Sequence, residues 1–243
     1  MSAILAYVTI CLMKNATALA IIPARGGSKR IPHKNIKLFL GKPIISYSIQ
    51  AALQSGCFNE VMVSTDDQEI TRIAKKFGAV VPFLRSQKAS NDEATTADVI
   101  DEVLHQYRRR GRQFEFFCTL YPTAPFVTPE KLRSAFEILK KTDVDSVMPV
   151  VKYSSPIQRA LIIKNGKLRR LHPEYAKTRS QDLPPTYHDP GQFYFMRTKA
   201  FVNRHLTNNT IPFEIPELEA QDIDTPQDWI IAEYKYRFPK GNL

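Results

Sequence analysis

Between Pro23 and Lys42 the chain carries six cations, Arg25, Lys29, Arg30, Lys34, Lys37 and Lys42, and no Asp or Glu. Gly26, Gly27 and Ser28 stand inside that run. Glycines let backbone N–H groups approach an anion closely, and Arg25, Lys29, Arg30 and Lys34 can neutralise several phosphate charges. Neither GxxxxGK[ST] nor GxGxxG is present, so the segment is neither a Walker A loop nor a dinucleotide fingerprint. Far downstream, Asp222 and Asp224 flank Ile223. On an extended segment residues i and i+2 point the same way, so both carboxylates can face one hard divalent cation. A triphosphate loop needs such a metal to offset charge during phosphoryl or nucleotidyl transfer. Taken alone, each feature has a plainer reading: a solvated basic loop, and a turn before the helix start at Thr225-Pro226. Asp228 reads as a helix-start residue.

The elements that must hold these groups are legible as a rhythm. Ala18–Pro23 is a short apolar run ending in Pro, read as a buried strand that delivers the basic loop at its end. Pro43 opens an amphipathic stretch that stops at Gly56. Glu60–Thr65 predicts a second strand, Asp67–Phe77 a helix ended by Gly78, and Val80–Leu84 a third short strand. Thr95–Arg109 predicts a helix with Val99, Ile100, Val103, Leu104 and Tyr107 on one face. Phe114–Tyr121 is a continuous apolar strand, Thr128-Pro129-Glu130 starts a helix running to about Lys141, and Ser146–Val151 is another strand. Strands alternating with helices give an α/β fold: a Rossmann-like, mostly parallel sheet sandwiched by helices. Near-continuous apolar strands agree with burial on both faces, and a loop after the first strand lies at the carboxyl edge, where such sheets bind ligands.

After Val151 the rhythm breaks. Asn165-Gly166 between Ala160–Ile163 and Lys167–Leu171 signals a hairpin. A long loop then passes Pro173, Pro184, Pro185 and Pro190 before a strand at Gln192–Met196. The segment at about 152–190 reads as a β excursion inserted into one domain, a common place for an oligomer interface. Ile211–Ile215 predicts an edge strand, and Thr225-Pro226-Gln227-Asp228 caps a last helix holding Trp229.

Composition bounds the rest. The 243 residues suit one globular domain, and 43% hydrophobic with 24% charged residues excludes a disordered or fibrous chain. The formal net charge of +10 asks for an anionic partner. Cys11, Cys57 and Cys118 form no CxxC pair, so they read as reduced thiols of a cytoplasmic protein. Aromatics do not interleave with the basic residues, which argues against nucleic acid. Arg108–Arg112 reads as a solvated helix end, and Ser64-Thr65-Asp66 as a cap or a substrate contact. Residues 1–17 read as a loosely ordered extension: the apolar MSAILAYVTICL is too short to span a bilayer and has its charge on the wrong side for a signal peptide. Met13 is a candidate native start.

The stretches IIPARGGSKRIPHKN, STD at 64–66, Arg85 with NDEATT at 91–96, YPTAPF at 121–126, SQDLPPTYHDPGQFY at 180–194 and DIDTPQD at 222–228 follow one another in an order and spacing that resemble the CMP-sialic acid synthetase family of acylneuraminate cytidylyltransferases. The resemblance spans about residues 18–237. It implies a fold of the nucleotide-diphospho-sugar transferase type, a single cytidylyltransferase domain over 18–243, and transfer of CMP from CTP to the anomeric hydroxyl of a nonulosonic acid with release of pyrophosphate. It also implies Mg²⁺ at Asp222 and Asp224, and a homodimer whose inserted segment reaches the partner's site. CTP would be held by Arg25, Gly26, Gly27, Ser28, Lys29, Lys34 and Asn35, with the cytosine read by Arg85 and by Ala94 through Thr96. Arg25, Lys29, Lys34, Asp222 and Asp224 would carry the chemistry.

By the same resemblance, the sugar would meet Tyr121, Thr123, Arg179, Gln181, Tyr187, His188 and Gln192. Tyr121 stands where sialic acid synthetases show Gln, and Arg179-Ser180-Gln181-Asp182-Leu183-Pro184 departs from Arg-Gln-x-Leu-Pro. The chain looks most like the branch that activates pseudaminic acid, a less polar sugar for which Tyr121, Tyr187, Phe193 and Tyr194 would make a suitable pocket. Legionaminic acid, N-acetylneuraminate and Kdo are the alternatives within the reaction, and a non-catalytic nucleotide- or polyanion-binding module is the alternative outside it. No strong general base is legible, which leaves activation of the sugar hydroxyl to the metal.

Overall fold

The computed structural model describes residues 17–201 and 208–238; most of the N-terminal extension, with Cys11 and Met13, lies outside them. Strand β1 (Ala18–Pro23) lies between β4 (Glu60–Ser64) and β5 (Phe116–Leu120), parallel to both. Its side chains alternate as a doubly covered strand must. Ala18, Ala20 and Ile22 join one hydrophobic cluster, with helix α1 (Ile45–Ser55), α2 (Gln68–Lys76) and α5 (Pro129–Lys141). Leu19 and Ile21 join another, under α4 (Thr96–Arg109), whose buried residues are Val99, Ile100, Val103, Leu104 and Tyr107. A short helix, α3 (Gln87–Ser90), precedes α4.

Local chemistry sets the helix boundaries. Thr95 and Asp98 form a reciprocal capping box on α4, and Thr225 and Asp228 form another on α6 (Pro226–Arg237). Asp67 accepts from the backbone N–H groups of Glu69 and Ile70 at the start of α2. Each such cap contributes about 1 kcal/mol and, more usefully here, fixes where the preceding loop must end. α1 closes on Gly56 in the left-handed region, at φ 67°.

The sheet continues past β5 to β10 (Phe193–Arg197), then β6 (Ser146–Lys152) and the edge strand β11 (Thr210–Glu214). β10 runs antiparallel to both neighbours, and β11 runs parallel to β6. The short strand β9 (Tyr187–His188) pairs antiparallel with the end of β6. β7 (Leu161–Lys164) and β8 (Lys167–Arg170) form the expected hairpin and, among the described residues, pair only with each other. Asn165 and Gly166 both have positive φ, as its turn requires.

Three expectations are corrected. Val80–Leu84 is not a strand: Val80 makes a single parallel bridge to Met62, and Val80 and Leu84 are exposed. The helix predicted from Pro43 opens at Ile45, because Pro43 belongs to β3 (Lys42–Pro43), which pairs with β2 (Leu38–Phe39). The strand predicted from Gln192 begins at Phe193 and runs in reverse between two parallel neighbours, β5 and β6.

Candidate active site

The carboxyl ends of β4, β1 and β5 deliver Ser64, Pro23 and Leu120 to one edge of the sheet. The loops that follow enclose a cavity of about 560 Å³. The ladder is extended there by Ala24 N–H donating to Ser64 O at 2.9 Å and Arg85 N–H donating to Thr65 O at 2.8 Å, so the walls start from fixed backbone. A second cavity, of about 640 Å³, lies at the opposite edge, and two of its three guanidinium groups are already engaged. Arg112 pairs with Glu60, and Arg197 donates to the carbonyls of Leu139, Thr142 and Val144.

On one wall of the first cavity stand Arg25, Ser28, Lys29, Arg30, Lys34 and Asn35. The loop is held by Ile31, which is fully buried in a small cluster with Phe39, Ile44, Phe126, Ile223 and Trp229. Asn35 is buried and donates to Arg25 O at 2.9 Å, tying the two ends of the loop. Gly26 is required by its neighbour: a Cβ there would lie 2.7 Å from Asp67 Oδ2 and 3.0 Å from Asp67 Cβ. Its N–H donates to Asp66 Oδ1 at 3.0 Å, so this amide is already committed to a carboxylate. Gly27 faces open space.

The facing wall comes from the segment before α4. Asn91 Oδ1 accepts from the N–H groups of Glu93 and Ala94, at 3.0 and 2.7 Å, which folds residues 91–94 into a turn. Asp92, Ala94, Thr95 and Thr96 then line the cavity. Arg85 closes its floor. It is 7% exposed and donates to Ser64 Oγ at 3.0 Å and Ser64 O at 2.5 Å. Burial lowers its pKa to about 10, so the guanidinium remains charged at neutral pH.

All four cations of the glycine loop have carboxylate partners. Arg25 and Lys29 meet Asp92 at 2.9 and 2.5 Å, while Arg30 and Lys34 meet Asp224 at 3.0 and 3.2 Å. Lys34 also donates to Ile223 O at 2.6 Å. The buried Ile223, packed in the cluster of Ile31, sends its two neighbours outward. Asp224 faces the cations, and Asp222 stands beside Gly191, where a Cβ would lie 3.5 Å from its carboxyl carbon. Although Asp222 is exposed at its outer side, partial desolvation by the cleft and the charge of Asp224 push its pKa upward.

A divalent cation would relieve that repulsion. Among the described residues no group of three or more His, Cys, Asp or Glu is placed to hold a metal. Two carboxylates completed by phosphate oxygens are the donor set Mg²⁺ commonly takes, so the residues present fit it.

Beyond Asp222 the cleft becomes aromatic. Tyr121 and Thr123 line the cavity, and the Tyr121 hydroxyl lies 3.2 Å from Thr96 Oγ1. Tyr194 packs edge-on to Tyr121, ring centroids 5.7 Å apart, and its hydroxyl donates to both oxygens of Asp189 at 2.6 and 2.7 Å. Burial raises both phenol pKa values, with the Asp189 hydrogen bond adding to the shift at Tyr194.

The structure thus gathers Arg25, Ser28, Lys29, Lys34, Asn35, Arg85, Ala94, Thr96, Tyr121, Thr123 and Asp224 around one cavity, with Asp222 beside it. Six others lie elsewhere in this chain. Arg179 pairs with Asp182 on the exposed segment that also carries Gln181. Tyr187 is exposed on β9, and His188 packs against Tyr153 with the rings tilted at 48° and centroids 4.9 Å apart. Gln192 is buried, donating to Glu219 O at 2.7 Å. Phe193 is fully buried in the main core. Asp92 and Asp189 carry site geometry that sequence reasoning passed over. The acid directly after Asn91 was the available signal for the first.

The family model described as Cytidylyltransferase matches residues 19–226. Pseudaminic acid cytidylyltransferase of Campylobacter jejuni is 40% identical over 228 residues, 93% of this chain and 97% of the relative. CMP-N,N'-diacetyllegionaminic acid synthase of Legionella pneumophila is 37% identical over 226 residues, 88% of this chain and 94% of that one. The structure of CMP:2-keto-3-deoxy-manno-octonic acid synthetase complexed with CTP superposes with a TM-score of 0.68 at 19% identity, over 90% of this chain and 98% of that one, and so shares the fold.

Proposed function

The chain belongs to the cytidylyltransferase family, and from that premise we propose that it transfers CMP from CTP to the anomeric hydroxyl of pseudaminic acid, releasing pyrophosphate. One observation carries the reading: a single cavity at the carboxyl edge of the sheet joins four loop cations, the buried Arg85 and Asp224, in a chain similar over nearly its whole length to an enzyme of that name.

In the reaction the sugar oxygen attacks the α-phosphorus, the bond from that phosphorus to the bridging oxygen breaks, and pyrophosphate leaves. Charge builds on the departing group, and Arg25, Lys29, Arg30 and Lys34 are positioned by the loop to stabilise it as fixed donors. Arg85, Ala94 and Thr96 bound the end of the cavity suited to the cytosine. Asp222 and Asp224 would hold Mg²⁺, which supplies charge neutralisation at the phosphates when bound. Tyr121, packed on Tyr194, gives the sugar side an aromatic wall whose two hydroxyls are already committed to Thr96 and Asp189. That wall suits a sugar with a methyl terminus better than the polyol tail of N-acetylneuraminate.

The active unit in this reading is a homodimer. Leu161, Ile163 and Leu168 on the β7–β8 hairpin are 56, 77 and 70% exposed. A two-stranded hairpin that pairs with nothing else is marginal in water unless another surface covers it. A partner subunit would supply that cover and bring the 152–190 segment, with Arg179 and Gln181, to a site. No helix among the described residues is long and apolar enough to cross a membrane. Cys57 and Cys118 are free thiols, which supports placing the reaction in the reducing cytoplasm.

Pyrophosphate release from CTP, measured with pseudaminic, legionaminic, N-acetylneuraminic and Kdo acids in turn, tests the assignment. The expected order puts pseudaminic acid highest in kcat/KM. A higher value for legionaminic acid would move the assignment to the second sugar, and turnover with none would leave a nucleotide-binding module.

A further inference from the structure

The same two cations that face the triphosphate position are already occupied by a carboxylate of this chain. Asp92 sits across the cleft from the glycine loop, more than sixty residues away in sequence, and reaches Arg25 Nη1 at 2.9 Å and Lys29 Nζ at 2.5 Å. Arg25 Nη1 also donates to Asn91 O at 3.4 Å. The contact is thus a bridge between the two walls of the cavity, set on a turn that the Asn91 side chain fixes.

Its exposure decides between a permanent brace and a removable one. The side chains of Arg25, Lys29 and Asp92 are 39, 78 and 56% exposed, whereas the structural pair Lys131–Glu219 is 11 and 28% exposed. Exposed pairs are worth little and are readily traded for a stronger anion. The Lys29 hydrogen bond and charge, followed by those of Arg25, hold the Asp92 carboxyl below the usual carboxylate range, so it is an anion at neutral pH.

We propose that Asp92 is an exchangeable counter-anion of the triphosphate subsite, which holds Arg25 and Lys29 between turnovers, yields them to the incoming triphosphate, and reclaims them as pyrophosphate leaves. This rests on the CTP reading above. Asp92 acts through the two cations and is a positioning residue. It keeps them on the cavity wall when no nucleotide is bound, and its competition weakens the grip on the product that shares them. A fixed brace would act in the opposite sense, because removing it would scatter the cations and weaken anion binding.

The probe is inorganic pyrophosphate, titrated calorimetrically into wild type, Asp92→Asn and Asp92→Glu. Asp92→Asn is expected to tighten pyrophosphate by about three- to tenfold, the range that loss of two exposed pairs allows, with the CTP KM falling in step. Asp92→Glu should return affinity toward wild type, and Glu93→Gln, which removes a charge from the same turn without touching the loop, should leave it unchanged. Unchanged or weaker pyrophosphate binding in Asp92→Asn overturns the proposal, as does equal tightening in Glu93→Gln. Because the titration needs no turnover, inactivity of wild type on every sugar would count against the proposed reaction and leave the Asp92 result standing.

Discussion

On the nucleotide side of the cleft the glycine loop and Tyr121 follow directly from buried parallel strands, Arg85 is tied by its backbone to the residue after a third, and anchors such as Ile31, Ile223 and Asn35 are at most 7% exposed. On the insertion side, β7 and β8 show every side chain to solvent and, among the described residues, pair with no other strand. The two regions obey different requirements. Charge on a triphosphate must be met by donors already fixed in place, since reorganising them during the reaction would forfeit their effect. In the proposed dimer the hairpin instead keeps apolar residues outside for a second subunit to cover.

The largest test of this contrast is at Lys34, which bridges the loop to Asp224 and Ile223 O. Lys34→Ala should lower kcat by about 10²- to 10³-fold, the usual cost of removing one preorganised donor, with little change in oligomeric state. A loss below tenfold would mean that the nucleotide side is less preorganised than its geometry indicates.

Next comes the hairpin. Replacing Ile163 and Leu168 together by Glu should convert the proposed dimer to monomer in a light-scattering measurement. It should raise the sugar KM by about tenfold or more and leave CTP binding within about twofold. An unchanged dimer, or a matching loss of CTP affinity, would erase the division between the regions.

The smallest effect is expected at their boundary. The folded pKa of Asp222 stands above its ordinary value, so the folded state binds that proton more tightly than the unfolded chain does. Its stability contribution is therefore gained as pH falls through the folded pKa and lost as pH rises past it. Asp222→Asn should thus raise the melting temperature of the metal-free protein at neutral pH, on the order of 1 °C for a group this exposed. The gap should close on acidification through the folded pKa, while turnover is largely lost. A lower melting temperature in the variant would assign Asp222 to folding.

The same division governs what could be read before the structure. Caps such as Thr95 with Asp98 and Thr225 with Asp228 are local, so the helices they start were legible to within a residue. The alternation of Asp222, Ile223 and Asp224 is also local, and it sends Ile223 to the core. Strand direction is not local. The apolar pattern of Phe193–Arg197 is the same whichever way the strand runs, and only its neighbours β5 and β6 show the reversal. Val80–Leu84 has strand-like residues, but only Val80 bridges to β4, and Val80 and Leu84 face solvent. Asp92 was hidden for the opposite reason: an acid inside a cationic site looks like a loop residue until the chain brings it across the cleft. Arg179 and Gln181 belong to a segment that does not line the cavity of this chain.

The reversed strand has a consequence for how the chain is made. β10 sits between β5 and β6, yet its residues leave the ribosome after both neighbours and after the whole hairpin excursion. Until Phe193–Arg197 arrives, the five-residue β5 presents an unpaired edge with buried-type residues on both faces, the sort of edge that recruits other chains. The N-terminal β1–β4–β5 layer must therefore wait, half-built, for about seventy residues of synthesis, a few seconds at ordinary elongation rates. Truncations that end within the excursion should aggregate for that reason, and a chaperone that shields the β5 edge would act in this interval.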